Sequence, residues 1–289
     1  MVERSTLWPA PEVVSTDGRA WEAGPIPRTG TGPDFIESLA RGLEVITAFA
    51  PGRDTMSLSD VAAATGLARP TARRILLTLV ELGYVRADGA RYALTPRVLE
   101  LGAAYVGSQG LWDVARPHLQ ELSARTHESC SIAQLDGSDI VYVARVAVPK
   151  IVGLSVQIGT RFPALQTSLG KVLLAELSSR EVDEVLAEPT RSGLTPLWSP
   201  TKRERDEELR QVHARGWAMT DQQLALGIRS VAAPIRDGER VVAAVNVNTH
   251  AAETSVETLT EHHLPLLLRT AGEIGADFAR LRTLPQVVG

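Results

Sequence analysis

A single cysteine, Cys130, stands in 289 residues. One thiol excludes an intrachain disulfide and any multi-cysteine metal site. Histidine is scarce too, and His118, His127, His213 and His250 fall at no metal-ligand spacing. His262-His263 lies beside Glu261 in a helical stretch, where adjacent side chains diverge and make a poor catalytic or metal pair. No apolar run nears the ~20 residues that span a bilayer. The N-terminus mixes charges with prolines and has no signal-peptide core, which points to a cytoplasmic protein. A Gly-rich phosphate loop and a nucleophile elbow are also missing. Asp221 and Asp237 are not paired by any spacing, and Cys130 lies in an apolar strand, the usual place of an inert thiol. The expectation is a protein that is not an enzyme and needs no cofactor.

What is present is a pattern that changes along the chain. The length suits two domains. Residues 1–33 lack periodicity and carry Pro9, Pro11, Pro25, Pro27 and Pro33, which reads as a disordered tail. Asp34 then caps an expected helix with Phe35, Leu39, Leu43, Ile46 and Phe49 as its buried face and Pro51-Gly52 as its stop. Arg41 on this helix is a candidate contact to a nucleic-acid backbone.

Residues 58–94 organise the chain. Ser57 or Ser59 can cap a first short helix whose apolar stripe is Leu58, Val61, Ala62 and Thr65. Gly66 suits a left-handed helix end, with Leu67 as the apolar plug after it. A second helix opens near Arg69-Pro70 and sets Ala72, Ile75, Leu76, Leu79 and Leu82 toward one core. At about 100° per residue, Arg73 and Arg74 fall on its flank and back, with Thr71 and Thr78 on the other flank. Arg forks onto guanine or grips phosphate, and Thr meets a phosphate or a thymine methyl. Gly83 ends the helix. Residues 84–86 and 91–94 alternate as strands around an Asp88-Gly89 turn, with Arg86 and Arg91 as the charges of a wing. The segment from Leu67 to Arg97 carries a net +4 on a chain of −4, a local basic patch suited to double-stranded DNA. The blander reading is a helical hairpin with solvated arginines that binds another protein.

Thr95-Pro96 starts a linker helix running toward Val106 and broken by Gly107 to Gly110, and Leu111 to Thr126 forms a further amphipathic helix. Strands are expected at Ser129–Leu135, Ile140–Val146, Ile151–Val156, Trp217–Thr220, Ser230–Ile235 and Val241–Asn248. Helices are expected at Leu169–Leu177, Glu181–Ala187, Lys202–Arg215 and Val256–Arg282. Paired hairpins with helices between and after them argue an α+β fold with a mostly antiparallel sheet. The division is a tail (1–33), a winged helix-turn-helix (34–95), a linker helix (96–110) and a C-terminal domain (111–289).

Four stretches in this order resemble the IclR family of bacterial transcription regulators. They are SLARGLEVITAFA (Ser38–Ala50), GLARPTARRILLTLVELGYV (Gly66–Val85), TSLGKVLLAEL (Thr167–Leu177) and DQQLALGIRSVAAPIRDGERVVAAVNVNTH (Asp221–His250). The wording ARPTARR and DQQLALGIRSVA resembles the subgroup that governs protocatechuate and 4-hydroxybenzoate breakdown through the β-ketoadipate pathway. Ala68 departs from the Ser or Thr cap frequent in the family. The resemblance implies a GAF-like effector domain that cups a small organic acid, and homodimers or homotetramers on two-fold operators.

Within that domain, Asn246 and Asn248 sit at i and i+2, so they share a face of their strand. If inward, their amides need partners, which a carboxylate or phenol supplies. Ser230 and Asp221 on neighbouring segments join them. The resemblance places effector contacts at these positions and in the loop before TSLGK. There Thr167, Ser168 and Gly170 stand at a helix start suited to an anion or simply to capping. Lys171 is expected at the surface. A guanidinium holds a carboxylate in two places, and Arg145, Arg161 and Arg229 are the candidates. Non-aromatic acids such as glyoxylate or a sugar acid stay open.

Overall fold

The computed structural model describes residues 32–49, 53–149 and 156–283. The expected tail up to residue 31, the stop at Pro51-Gly52 and all but the last residue of the expected strand from Ile151 lie outside the described residues.

The N-terminal unit forms around two helices that meet at a glycine. α2 (Leu58–Thr65) is capped by Ser57, whose hydroxyl accepts from Asp60 N–H while Asp60 accepts from Ser57 N–H. Such a cap contributes roughly 1 kcal/mol. Gly66 adopts φ +66 and turns the chain into α3 (Arg69–Glu81). Val61, Ala72, Leu76, Leu79 and Val85 form the core together with Val45 of α1 (Glu37–Thr47) and Met56. α1 corrects two expectations. It starts without a side-chain cap, so Asp34 plays no such role. Its expected buried face is buried only at one end: Phe35 is 42%, Leu39 61% and Leu43 46% exposed, whereas Ile46 and Phe49 pack half-buried against the core and Val45 lies fully within it. Leu82, expected inside, sits past the end of α3 and is half-exposed.

The wing is β2 (Val85–Asp88) against β3 (Arg91–Leu94), with Asp88 opposite Arg91, so the turn is Gly89-Ala90 and not Asp88-Gly89. A third strand, β1 (Met56–Ser57), pairs with β3 and is too short to show alternation in sequence. α4 (Val98–Gln109) continues through Gly107 and stops only at Gly110, whose φ of +63 re-aims the chain into α5 (Leu111–Thr126). A helical glycine costs only about 1 kcal/mol, so Gly107 does not break it.

The C-terminal unit is a six-stranded antiparallel sheet with helices on both faces, completing an α+β fold. In chain order its strands are β4 (Ser129–Asp136), β5 (Asp139–Val146), β6 (Arg161–Pro163), β7 (Ala218–Asp221), β8 (Ile228–Asp237) and β9 (Arg240–His250), arranged β6-β5-β4-β9-β8-β7. Between β6 and β7 lie α6 (Ser168–Leu174), α7 (Ser179–Ala187) and α8 (Lys202–Arg215). The final helix is not continuous. It runs as α9 (Val256–Thr258), a π turn at Leu259–His263 and α10 (Leu264–Thr283), and Pro265 removes an N–H from the ladder at that place.

The faces of the sheet differ. On one, Ile132, Val231, Val245 and Val247 pack with Leu119 and Leu122 of α5 and Leu267 and Ile274 of α10. On the other, Ala133, Ala232 and Ala244 make a low floor under Leu169, Val172 and Leu173 of α6. Burying each such Leu or Val contributes roughly 1.5–3 kcal/mol. No helix of the described residues is long and apolar enough to cross a membrane.

Candidate nucleic-acid interface and ligand site

α3 turns Ala72, Leu76 and Leu79 inward, which leaves Arg69, Arg73 and Arg74 exposed around its N-terminal half. No hydrogen bond or ion pair engages these three, nor Arg86 in the wing, among the described residues. The first turn of α3 holds no acidic residue, and its cap residue Ala68 offers no side-chain acceptor. The positive helix end and three free guanidinium groups therefore face solvent together, a surface suited to phosphate and base edges. Thr71 is half-buried, and the exposed Thr78 returns its hydroxyl to Arg74 O at 3.0 Å. Arg91 is partly spent, bonding Thr55 Oγ1 at 2.9 Å and Thr55 O at 2.6 Å. Arg41 pairs with Glu37 at 2.9 Å on its own helix.

On the sheet face under α6, polar side chains replace apolar ones at one end. Cross-strand partners share a face, so the pairings Arg145–Ser131, Ser131–Asn246 and Asn246–Ala232 form one row. The next row is Ser129, Asn248, Ser230 and Thr220. Ser168, the first residue of α6, meets Ser230 Oγ at 2.7 Å, and Thr220 Oγ1 meets it at 3.1 Å. Arg145 donates to Ser131 Oγ at 2.9 Å. Its Nε and the Oδ1 of Asn246 are buried and meet no partner among the described residues.

Arg145 reaches this face through a bulge. Strict alternation from Ile140 and Tyr142 would send Ala144 here and Arg145 to the opposite side. Instead Ile132 pairs with Ala144 and Ala133 with Tyr142, so Val143 is left over and the later residues swap faces. Burial pushes the Arg145 pKa below the ordinary guanidinium value, an unfavourable desolvation that an anion would offset. The other candidate cations are occupied. Arg161 is held by Asp136 and Asp139 at 2.6 and 3.3 Å. Arg229 forks onto Asp221 at 3.0 and 2.9 Å and bonds Thr254 O.

Three expected ligand residues are not brought to the site as expected. Asp221 lies with Met219 on the opposite face of β7, neutralised by Arg229. Thr167 Oγ1 accepts from Gly170 N–H at 3.0 Å and donates to Ala164 O, so both groups are spent on capping α6. Gly170 is needed for packing, because a Cβ there would stand 2.1 Å from Ala164 O. Lys171 corrects a further expectation: it is fully buried, bonded to Glu208 and Gln223, and lies 4.3 Å from the centre of the Trp198 ring. Ser129 and Ser131 were not singled out by sequence. Their i, i+2 spacing around Cys130 is the signal that marked Asn246 and Asn248.

Comparison with known proteins identifies the family. Residues 38–89 match the IclR helix-turn-helix domain, and residues 103–276 match the bacterial transcriptional regulator IclR C-terminal domain. The chain is 37% identical over 270 residues to the Pca regulon regulatory protein of Pseudomonas putida, covering 92% of this chain and 90% of that one. It is 34% identical over 247 residues to the p-hydroxybenzoate hydroxylase transcriptional activator of Acinetobacter baylyi, covering 83% and 91%. A solved transcriptional regulator from Rhodococcus sp. RHA1 is 49% identical with a TM-score of 0.74, over 86% of this chain and 100% of that one. With a basic helix free to meet DNA, a polar cluster on the sheet of a second domain and both domain models matched in order, the chain belongs to the IclR family of bacterial transcriptional regulators, and it is not an enzyme.

Proposed function

We propose that this protein is a cytoplasmic, homodimeric, operator-binding regulator of aromatic acid breakdown, with a hydroxybenzoate such as protocatechuate or 4-hydroxybenzoate as its effector. One observation carries the ligand reading. Arg145 Nε–H is a buried donor in want of an acceptor, and Asn246 Oδ1 is a buried acceptor in want of a donor. A carboxylate meets the first and a hydroxyl the second, so one hydroxy acid relieves both. An unmade buried bond costs about 1–3 kcal/mol. Ser168, Ser230 and Asn248 extend the polar wall, and Ala232 and Ala244 offer a flat floor for a ring. The names of the two curated relatives support the aromatic class.

Arg69, Thr71, Arg73, Arg74 and Thr78 are assigned to the DNA groove, Arg86 and Arg91 to the wing contact, and Arg41 to the backbone. The exposed Leu39 and Leu43 of α1, with Leu99 and Leu101 of α4, support self-association of two chains. Residues 34–95, 96–110 and 111–289 are assigned as DNA-binding domain, linker and effector domain.

Titration calorimetry with 4-hydroxybenzoate, protocatechuate, benzoate, β-ketoadipate and glyoxylate tests the ligand, followed by operator binding with and without the best acid at fixed salt. A hydroxybenzoate binds and shifts operator affinity, while benzoate, without the hydroxyl, binds far more weakly. Equal binding of benzoate removes the Asn246 half of the argument. Seven polar side chains in two rows also suit a polyol acid, and preferential binding of a sugar acid would put that reading first.

A further inference from the structure

The pocket and the linker helix lie on opposite faces of the sheet, yet one irregularity touches both. Val143 and Ala144, the bulge residues, line a small cavity with Leu111, Trp112 and Tyr105 on the α5 side. Arg145 is the next residue and points to the other side. Tyr105 belongs to α4, and its hydroxyl donates to Gln134 Oε1. Gln134 Nε2 in turn donates to Val242 O at 3.0 Å. Val242 is itself at a slip of register, where Ile235 pairs with Ala243 and Arg236 with Val241. One side-chain amide thus ties the linker helix to two strands where their ladders are interrupted. Interrupted ladders are the places where a strand shifts at the smallest loss of bonds.

The other end of α4 is tied just as directly to the recognition helix. Arg97, immediately before α4, donates to Leu82 O at 2.8 Å just beyond the end of α3 and stacks 5.3 Å from the centre of the Tyr84 ring. Thr95 Oγ1 donates to Gly83 O at 2.5 Å. A displacement of Tyr105 therefore acts on a helix whose base is clasped to α3.

We propose that Tyr105 and Gln134 are the positioning pair through which the linker helix reads the pocket. An anion seated on Arg145 draws the bulge toward the α6 face. Val143 and Ala144 then change their packing under Tyr105, and the Gln134 bridge carries that change into α4 and on to α3. This inference rests on Arg145 anchoring the effector. A coupling of this kind requires that the ligand favour one arrangement over the other.

The test is Tyr105→Phe in the full chain. Its 4-hydroxybenzoate affinity and its operator affinity without ligand stay within about two-fold of the parent. The ratio of operator affinities with and without saturating 4-hydroxybenzoate collapses by about five-fold or more, toward unity. Gln134→Leu, which removes the acceptor, reproduces the collapse, and a melting curve for each variant separates it from unfolding. A variant that binds the acid and keeps the parent's ratio overturns the coupling and leaves the pocket reading intact. A parent protein that binds none of the acids overturns the pocket reading itself, before any variant is compared, and this inference falls with it.

Discussion

Arg145 is the residue on which the proposed ligand site turns. Replacing it by Gln keeps a donor and removes the charge. Effector affinity then falls about ten- to one hundred-fold, the usual worth of a charge-assisted pair, while operator binding without effector is unchanged. Calorimetry and gel shift read the two halves, and an unaltered effector affinity would dismiss Arg145 as the anchor. Cys130 gives a second check at this scale. Burial pushes its thiol up to about 12, so it stays protonated in the folded protein at pH 8. Iodoacetamide therefore labels it slowly in buffer and rapidly in urea; fast labelling of the native protein would contradict the buried strand. The two asparagines were legible because period-two spacing fixes a shared face. Arg145 was not separable from Arg161 and Arg229, because one extra residue in β5 decides its side and acidic partners distant in sequence neutralise the other two. Lys171 misleads for the same reason: Glu208, Gln223 and Trp198, which surround its ammonium group, come from three later segments.

Among elements, α2 was the most readable, since cap, stripe and terminal glycine are all local signals. Its capping box makes a quantitative prediction: Ser57→Ala destabilises the N-terminal unit by roughly 1 kcal/mol in urea melts. Similar boxes start α7 (Ser178 with Glu181) and α8 (Thr201 with Glu204). Hydrogen bonds to Ser57, Ser178 and Thr201 lower the pKa values of Asp60, Glu181 and Glu204. Folded carboxylates with lowered pKa values contribute stability above the ordinary carboxylate range and lose it as pH falls through their folded values. Acid melts should show these helix starts loosening on the low-pH side of that range; stability that rises on acidification there would reject the capping role. What the sequence concealed at this scale was context. β1 is too short to alternate, and the apolar face of α1 reads as core whether it meets its own chain or another.

For the whole molecule, that exposed face becomes the main consequence. Leu39→Glu with Leu43→Glu should shift sedimentation from dimer to monomer and cost operator affinity more than any single arginine. A double variant that remains dimeric would locate the interface elsewhere. The charge distribution adds a salt effect: with net +4 between Leu67 and Arg97 on a chain of −4, operator affinity should fall steeply with salt, and Arg74→Ala should flatten the slope by about one. The two-domain order was plain in sequence, because helical and strand periodicities occupy separate stretches, whereas the clasp of α4 onto α3 depends on contacts across turns. The alanine floor sets a headroom between sheet and helix. Ala133, Ala232 and Ala244 decide how far α6 stands from the strands, and each methyl added there narrows the gap or lifts the helix. If the proposed site holds the effector, its girth is set by side chains that make no polar contact, and exchanging these alanines while the guanidinium and amides stay in place should retune the sensor to a slimmer or bulkier acid.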